Sequence, residues 1–452
     1  MTAGTSQGRA ARRRPWRARP AAAGLAAALA TGLVIPALAA AGGTGVAAAS
    51  AGATAASISP ARTGAGRPAG TAGAAAAGTA SRAVLAWGRN AFGALGDGTT
   101  TDSDVPVRVH LPAGTKVTQV RAGCIHTLAL TSGGHVLAWG ANGDGQLGDG
   151  TTTSSDVPVK VKIPRGTKVT SVRAGCVFSL ALTSTGQVLA WGDNLDGQLG
   201  DGSTSNSDTP VRVRLPAGTT VTAISAGQDF GLARTSKGHV RAWGHGDGGR
   251  LGDGSVSNSD TPVKVKLPTG ARVKALAAGG THSLALTSDG LFAWGFNGDG
   301  QLGDGTTTSS ATPVRIFILV RGRSLGHVTS LFAGCSHSLV LFSGGALFAW
   351  GDNTSGQLGD GTSTSSDKPV GVALPAGTRV RAVSAGCTDS YALTVKGSVL
   401  AWGYNEYGEL GDGSDTQSST PVRVELPAGW RASAVIAGPG ADHALAMVHE
   451  KS

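Results

Sequence analysis

The chain has 452 residues, of which 72 are glycine and only 5% aromatic. Its formal net charge of +10 is unevenly spread: residues 1–82 carry nine arginines and no acid, which leaves 29 basic and 28 acidic residues for the rest. A near-neutral body removes the support for a nucleic-acid-binding domain, and glycine without a triplet register excludes a collagen-like rod.

In chain order, the first predicted element is a leader. Residues 12–19 are arginine-rich, residues 21–38 are apolar, and Ala37-Leu38-Ala39 offers a small-residue cleavage site. This is the layout of a secretory signal peptide. We therefore expect residues 1–39 to be removed. The mature protein is expected to be secreted, or associated with the cell envelope, with no stable membrane span. Residues 40–82 are almost wholly Ala, Gly, Ser, Thr and Pro without a period, and read as a disordered Ala/Gly-rich linker.

Residues 83–452 are organised by one recurring stretch, exemplified by Ala138-Trp139-Gly140, Asn142-Gly143-Asp144-Gly145 and Gly148-Asp149-Gly150. Its tryptophans are Trp87, Trp139, Trp191, Trp243, Trp294, Trp350 and Trp402, at gaps of 52, 52, 52, 51, 56 and 52 residues. Self-similarity on this scale marks a repeat architecture. Within one period, residues 136–139, 158–163, 169–173 and 178–183 read as short strands, with Pro158 at a strand start. No helical period appears. Seven such units predict an all-β fold, a seven-bladed β-propeller with four-stranded blades. The first unit lacks a preceding Ala-Gly strand and the last lacks a following Trp strand. Pairing of the N- and C-terminal strands would close the ring and remove a sheet edge. The unit between Trp294 and Trp350 is longer, and its stretch from Arg315 to Val320 reads as an irregular edge strand.

Cys124, Cys176, Cys335 and Cys387 each follow Ala-Gly in a different repeat, with no C-x-x-C pair. We expect buried free thiols. Sheets packed face to face lie ~10 Å apart, whereas a disulfide needs Cα atoms within about 7 Å. His126, His282, His337 and His443 occupy one register, where other copies place Phe178, Phe230 and Asp389. A slot that accepts an apolar ring favours a structural role over a metal or catalytic one. Asp97, Asp149, Asp201, Asp253, Asp304, Asp360 and Asp412 recur identically, which favours turn acceptors over calcium ligands. No nucleophile elbow, phosphate-binding loop or H-E-x-x-H motif is present. We expect no cofactor and no catalytic residue.

The block Ala-Gly-Cys-x-His-Ser/Thr-Leu-Ala-Leu, then Ala-Trp-Gly-x-Asn-x-x-Gly-Gln-Leu-Gly-Asp-Gly, then Pro-Val-x-Val, resembles the regulator of chromosome condensation repeat over residues 84–448. The resemblance implies a seven-bladed propeller, here of a bacterial secreted, alpha-tubulin-suppressor-like kind. The eukaryotic namesake acts on a small GTPase and binds chromatin, but the export leader and near-neutral body do not fit that role.

Positions at which the copies disagree carry the functional reading. The residue after Trp-Gly is Arg89, Ala141, Asp193, His245, Phe296, Asp352 or Tyr404, and three further on stands Phe92, Asp144, Asp196, Gly248, Asp299, Ser355 or Tyr407. These should face solvent at one end of the ring. We expect Phe92, Asp144, Asp196, His245, Phe296, Tyr404 and Tyr407 to bind a partner, an unidentified protein or cell-envelope component rather than nucleic acid, on a monomeric protein. Two alternatives stay open: a secreted hydrolase or lyase with acids at the propeller mouth, and an enzyme inhibitor resembling the propeller-type β-lactamase inhibitor.

Overall fold

The structure, a computed structural model, describes residues 82–318 and 325–451. The leader, the linker up to residue 81, and Leu319 and Val320 of the long unit lie outside the described residues. Among the described residues, twenty-eight strands form seven four-stranded antiparallel sheets, the blades of a propeller. Six blades are continuous in the chain: blade 1 (117–160), blade 2 (169–212), blade 3 (221–264), blade 4 (273–316), blade 5 (328–371) and blade 6 (380–423). In blade 1 the order from the axis outward is Val117–Ala122, His126–Thr131, Val136–Gly140 and Ser155–Lys160. The blades are therefore out of phase with the sequence period, which begins at a third strand and ends at the next blade's second.

Blade 7 closes the ring from both ends. The strands Trp430–Ile436 and His443–Glu450 are its inner half, and Arg82–Gly88 and Ser103–Arg108 its outer half. Seven consecutive residue pairs, from Arg82 opposite His449 to Gly88 opposite His443, join the two halves. This is the closure expected from the incomplete end units.

The outer strands start earlier than their sequence pattern predicts. Ser155–Lys160 places Pro158 inside the strand, not at its start, beside a register irregularity against Val136–Gly140. An outermost strand has one unpaired side, so a missing N–H is tolerated there. In the long unit, Ser310–Ile316 is one residue longer than its counterparts, and Phe317 beyond it is 63% exposed with the Arg315 guanidinium over its ring.

Between blades, the seven tryptophans are fully buried. Each indole N–H donates to a carbonyl of the preceding blade's outer loop, as from Trp191 to Gln146 at 2.9 Å and, across the closure, from Trp87 to Glu409 at 2.8 Å. The glycine that begins the second turn lies against the same ring: a Cβ on Gly148 would stand 2.6 Å from the Trp191 Nε1, at a φ of +67°. Only glycine meets both requirements.

The recurrent histidines extend this linkage. The Ser179 hydroxyl donates to the Gln146 carbonyl at 2.9 Å and meets His126 Nε2 at 2.9 Å. A hydroxyl has one proton, so the histidine is the donor and is the neutral Nε2–H tautomer. Thr127, Ser338 and Ser390 meet His443, His282 and His337 in the same way. Burial lowers all four, His126 to about 4 and His282 to about 3. The turn aspartates also act as read from the sequence: Asp149 Oδ1 accepts from the Thr151 N–H and hydroxyl at 3.0 and 2.8 Å.

The cysteines correct the sequence expectation. Cys124 is bonded to Cys176, and Cys335 to Cys387, with Cα separations of 4.4 and 4.5 Å. Among the described residues no cysteine is free. The face-to-face spacing of sheets was the wrong distance to apply. Blades are wedges, and the Ala-Gly-Cys loops sit at the narrow inner edge. A Cβ on Gly123 would lie 2.4 Å from the Gly175 carbonyl of the next blade.

Candidate functional site

The candidate face is the end of the ring where the Ala-Gly loops and the Trp-Gly turns meet. Its frame is rigid for a local reason. In blade 1, Gly140 (φ +105°) passes so close to the Ile125 carbonyl that a Cβ would stand 2.5 Å from it. Asn142 then fixes the turn, accepting the Leu147 N–H at 2.9 Å while its amide donates to the Thr151 and Thr153 carbonyls at 3.0 and 3.1 Å. Six of the seven turns carry this asparagine. Blade 3 has Gly246 instead, followed by a 3-10 turn at Asp247–Gly249.

All seven sequence-predicted partner-binding residues lie at this end. Phe92 and Phe296 are 39% and 40% exposed. Asp196 ties the outer loop of blade 2 to that of blade 3, accepting from Asn258 at 2.7 Å and standing 3.9 Å from His245 Nδ1. Asp144 accepts from Asn206 at 3.1 Å. Phe296 packs over Gly248 of the neighbouring blade. Tyr404 and Tyr407 are ring neighbours at 6.4 Å, and the Arg89 guanidinium sits 4.8 Å over the Tyr407 ring while it pairs with Asp442 at 3.2 Å. The tyrosines thus form one cluster with blade 7. Asp144, Asp196, His245 and Phe296 form an arc over blades 1–4.

Two positions of the variable register are not on the surface. Ala141 is 4% exposed and Asp193 9%. Asp193 turns inward to accept from the Gln198 amide at 2.6 Å, and burial pushes it up to about 6. Variation between copies therefore marks tolerance of local packing as well as exposure.

Sequence reasoning missed a set of acids beneath this face. Asp389 occupies the histidine slot of blade 6. Tyr391 places its hydroxyl 2.6 Å from Asp389 Oδ2 and 2.7 Å from the Glu409 carbonyl. One hydroxyl proton cannot serve both. Burial raises Asp389 well above the usual carboxylate range, so the carboxyl keeps its proton and donates to Tyr391, which donates onward. Glu409 stands where four copies have glutamine, and burial, reinforced by Asp442 and Asp102, pushes it up to about 7. Asp229 and Asp442 are raised by burial too. The available signal was the break in the Gly-Gln-Leu turn: Glu409, Arg250 and Ala94 replace its glutamine. Counted over the whole face, Asp144, Asp196, Asp299, Asp352 and Glu406 outnumber Arg89 and His245, so the rim is acidic with aromatic islands. Among the described residues no group of three His, Cys, Asp or Glu side chains could hold a metal ion, and no helix is long and apolar enough to cross a membrane.

Comparison with known proteins agrees with this architecture. The chain is 31% identical over 344 residues to the Ultraviolet-B receptor UVR8 of Arabidopsis thaliana, covering 76% of this chain and 77% of that one. It is 32% identical over 381 residues to the E3 ubiquitin-protein ligase HERC2 of Homo sapiens, but spans only 8% of that protein's length. Among solved structures, yeast RCC1 (Prp20), determined bound to Kap60, superposes with a TM-score of 0.73 at 25% identity, covering 82% of this chain and 90% of that one. The RCC1-like domain profile matches residues 72–446, and the chain belongs to that family.

Proposed function

We propose that this protein is an exported, non-enzymatic β-propeller that captures a protein or cell-envelope partner through the acidic, aromatic end of its ring. The carrying observation is the concentration of copy-specific side chains on one rigid face, with Tyr404, Tyr407 and Arg89 clustered as a ready anchor. Tyr and Arg are the side chains that dominate interface energetics. The acidic rim favours a partner with basic side chains at the contact. Two disulfides fit a protein matured in an oxidising compartment, which supports the reading of residues 1–39 as an export leader. The yeast RCC1 complex with Kap60 supports binding as the kind of work this fold does.

The two most deeply buried acids give the hydrolase alternative no support. Asp389 and Glu409 are 2% and 1% exposed and engaged with Tyr391 and the Tyr407 N–H, out of reach of a substrate. The test is capture from culture medium and envelope fractions with wild type and a F92A/Y404A/Y407A variant. Capture should fall by about tenfold or more, with the melting temperature nearly unchanged. Undiminished capture by the variant would sink the assignment of the face.

A further inference from the structure

The central channel is lined by alternate residues of the seven inner strands. The register just before each Ala-Gly reads Arg121 and Arg173 in blades 1 and 2, then Ser225 in blade 3 and Ser384 in blade 6. The other three blades place Ala277, Phe332 and Ile436 there. All of these line one cavity of about 300 Å³. Toward the partner-binding face it is roofed by the disulfide loops and by Gln228, which reaches from blade 3 to blade 5 and donates to Cys335 Sγ at 3.0 Å.

Neither channel arginine has a counter-ion. Among the described residues the sole Arg–carboxylate pair is Arg89–Asp442, at the outer face, and no Asp or Glu lines the channel. Arg121 donates only to the Val120 carbonyl at 2.6 Å, and Arg173 only to Val172 O at 2.8 Å and Ser171 Oγ at 3.0 Å. A guanidinium offers five N–H groups, so most of each fork is left for the channel. Burial lowers Arg121 to about 10 and, with repulsion from Arg121 added, Arg173 to about 9. Both side chains are half-buried and open to the channel, and two like charges on adjacent blades there favour a bound anion. At the opposite end of the ring, Lys116, Lys168, Arg272 and Arg379 immediately precede their inner strands and add positive charge to that end.

We propose that the channel is a binding site for a small organic oxyanion, its carboxylate or phosphate held between Arg121 and Arg173 and its apolar body against Phe332 and Ile436. The Ser225 and Ser384 hydroxyls are further donors on the same ring. Planar forks suit such headgroups because they bind two oxygens at once. The site is separate from the proposed partner-binding face, and neither depends on the other.

The test is isothermal titration of the full chain with inorganic phosphate, acetate, butyrate and hexanoate at constant ionic strength in chloride. The variant is R121S/R173S, since serine already occupies this register in two blades; Arg212→Ser on an outer strand is the control. We expect saturable binding of at least one oxyanion, tighter with chain length among the carboxylates. It should weaken by about tenfold or more in the double variant and not in the control. Phosphate binding without carboxylate binding, or the reverse, would identify the headgroup. A second measurement needs no variant: modification of Arg121 and Arg173 by phenylglyoxal, read by mass spectrometry, should slow in the presence of the bound oxyanion. Absence of saturable binding in wild type, equal affinity in the double variant, or unprotected arginines would each overturn the proposal.

Discussion

Glu409 shows how one residue can set a pH dependence for a whole ring. Its Oε2 accepts the Tyr407 N–H at 3.0 Å, but its Oε1 is buried without a partner. Its folded pKa, about 7, is raised above the ordinary glutamate value, so the folded state binds more protons than the unfolded one between these two values. Stability is then present below the unfolded pKa and lost as pH rises through about 7. Glutamine fills the same place in four sister turns, and in three of them its amide donates to a neighbouring side chain, as Gln198 does to Asp193. Glu409→Gln should therefore stabilise the protein by ~1–3 kcal/mol at pH 8 and by much less at pH 5, measured by urea unfolding at the two pH values. Equal gains at both would show that the carboxylate is not the source. The buried histidines act in the opposite sense: their folded pKa values are depressed, so their contribution is lost as pH falls below about 6.5.

At the scale of elements, much was legible because the ring reuses one solution. Every third strand must present a tryptophan to the previous blade, so the period of Trp87 to Trp402 is the period of the packing itself. The strand count, the closure from both ends and the structural roles of His126 and Asp149 follow from that repetition. What was not legible depended on curvature. The convergence of the blades toward the axis brings Cys124 to Cys176, and no spacing in the sequence encodes how steeply the wedges taper. The inward turn of Asp193 was hidden for a similar reason, since it depends on which partner, Gln198, lies beneath. The disulfides should matter to the pairs of blades that they join. The Cys124–Cys176 bond spans 52 residues of sequence, a loop for which chain-entropy arguments give a stabilisation of ~4 kcal/mol. C124S/C176S should lose about 2–4 kcal/mol in denaturant unfolding and become insensitive to reduction at that bond. No change in the midpoint would mean that the blades are held without it.

At the scale of the molecule, everything rests on blade 7. Its sheet has two strands from each end of the described chain, and residue pairs from Arg82–His449 to Gly88–His443 are the contact between them. Deleting residues 437–452 would leave Arg82–Gly88 as an open edge and uncover the packing around Trp87. We expect loss of the cooperative melting transition and aggregation, read by circular dichroism and light scattering. A truncated chain that melts as wild type would show that six blades and a remnant suffice.

The half-blade offset between sequence unit and blade has a further meaning. Seen around the axis, the seven units form a cyclic series in which each hands two strands forward, and the junction at blade 7 repeats the pairing found in every other blade. The junction at blade 7 is a seam sewn after the cloth is cut, and Arg82 and His449 mark its two selvedges. Were those ends joined and the backbone opened in a connection between two other blades, the same ring would form with its stitching moved. The fold is thus specified by neighbour relations between strands.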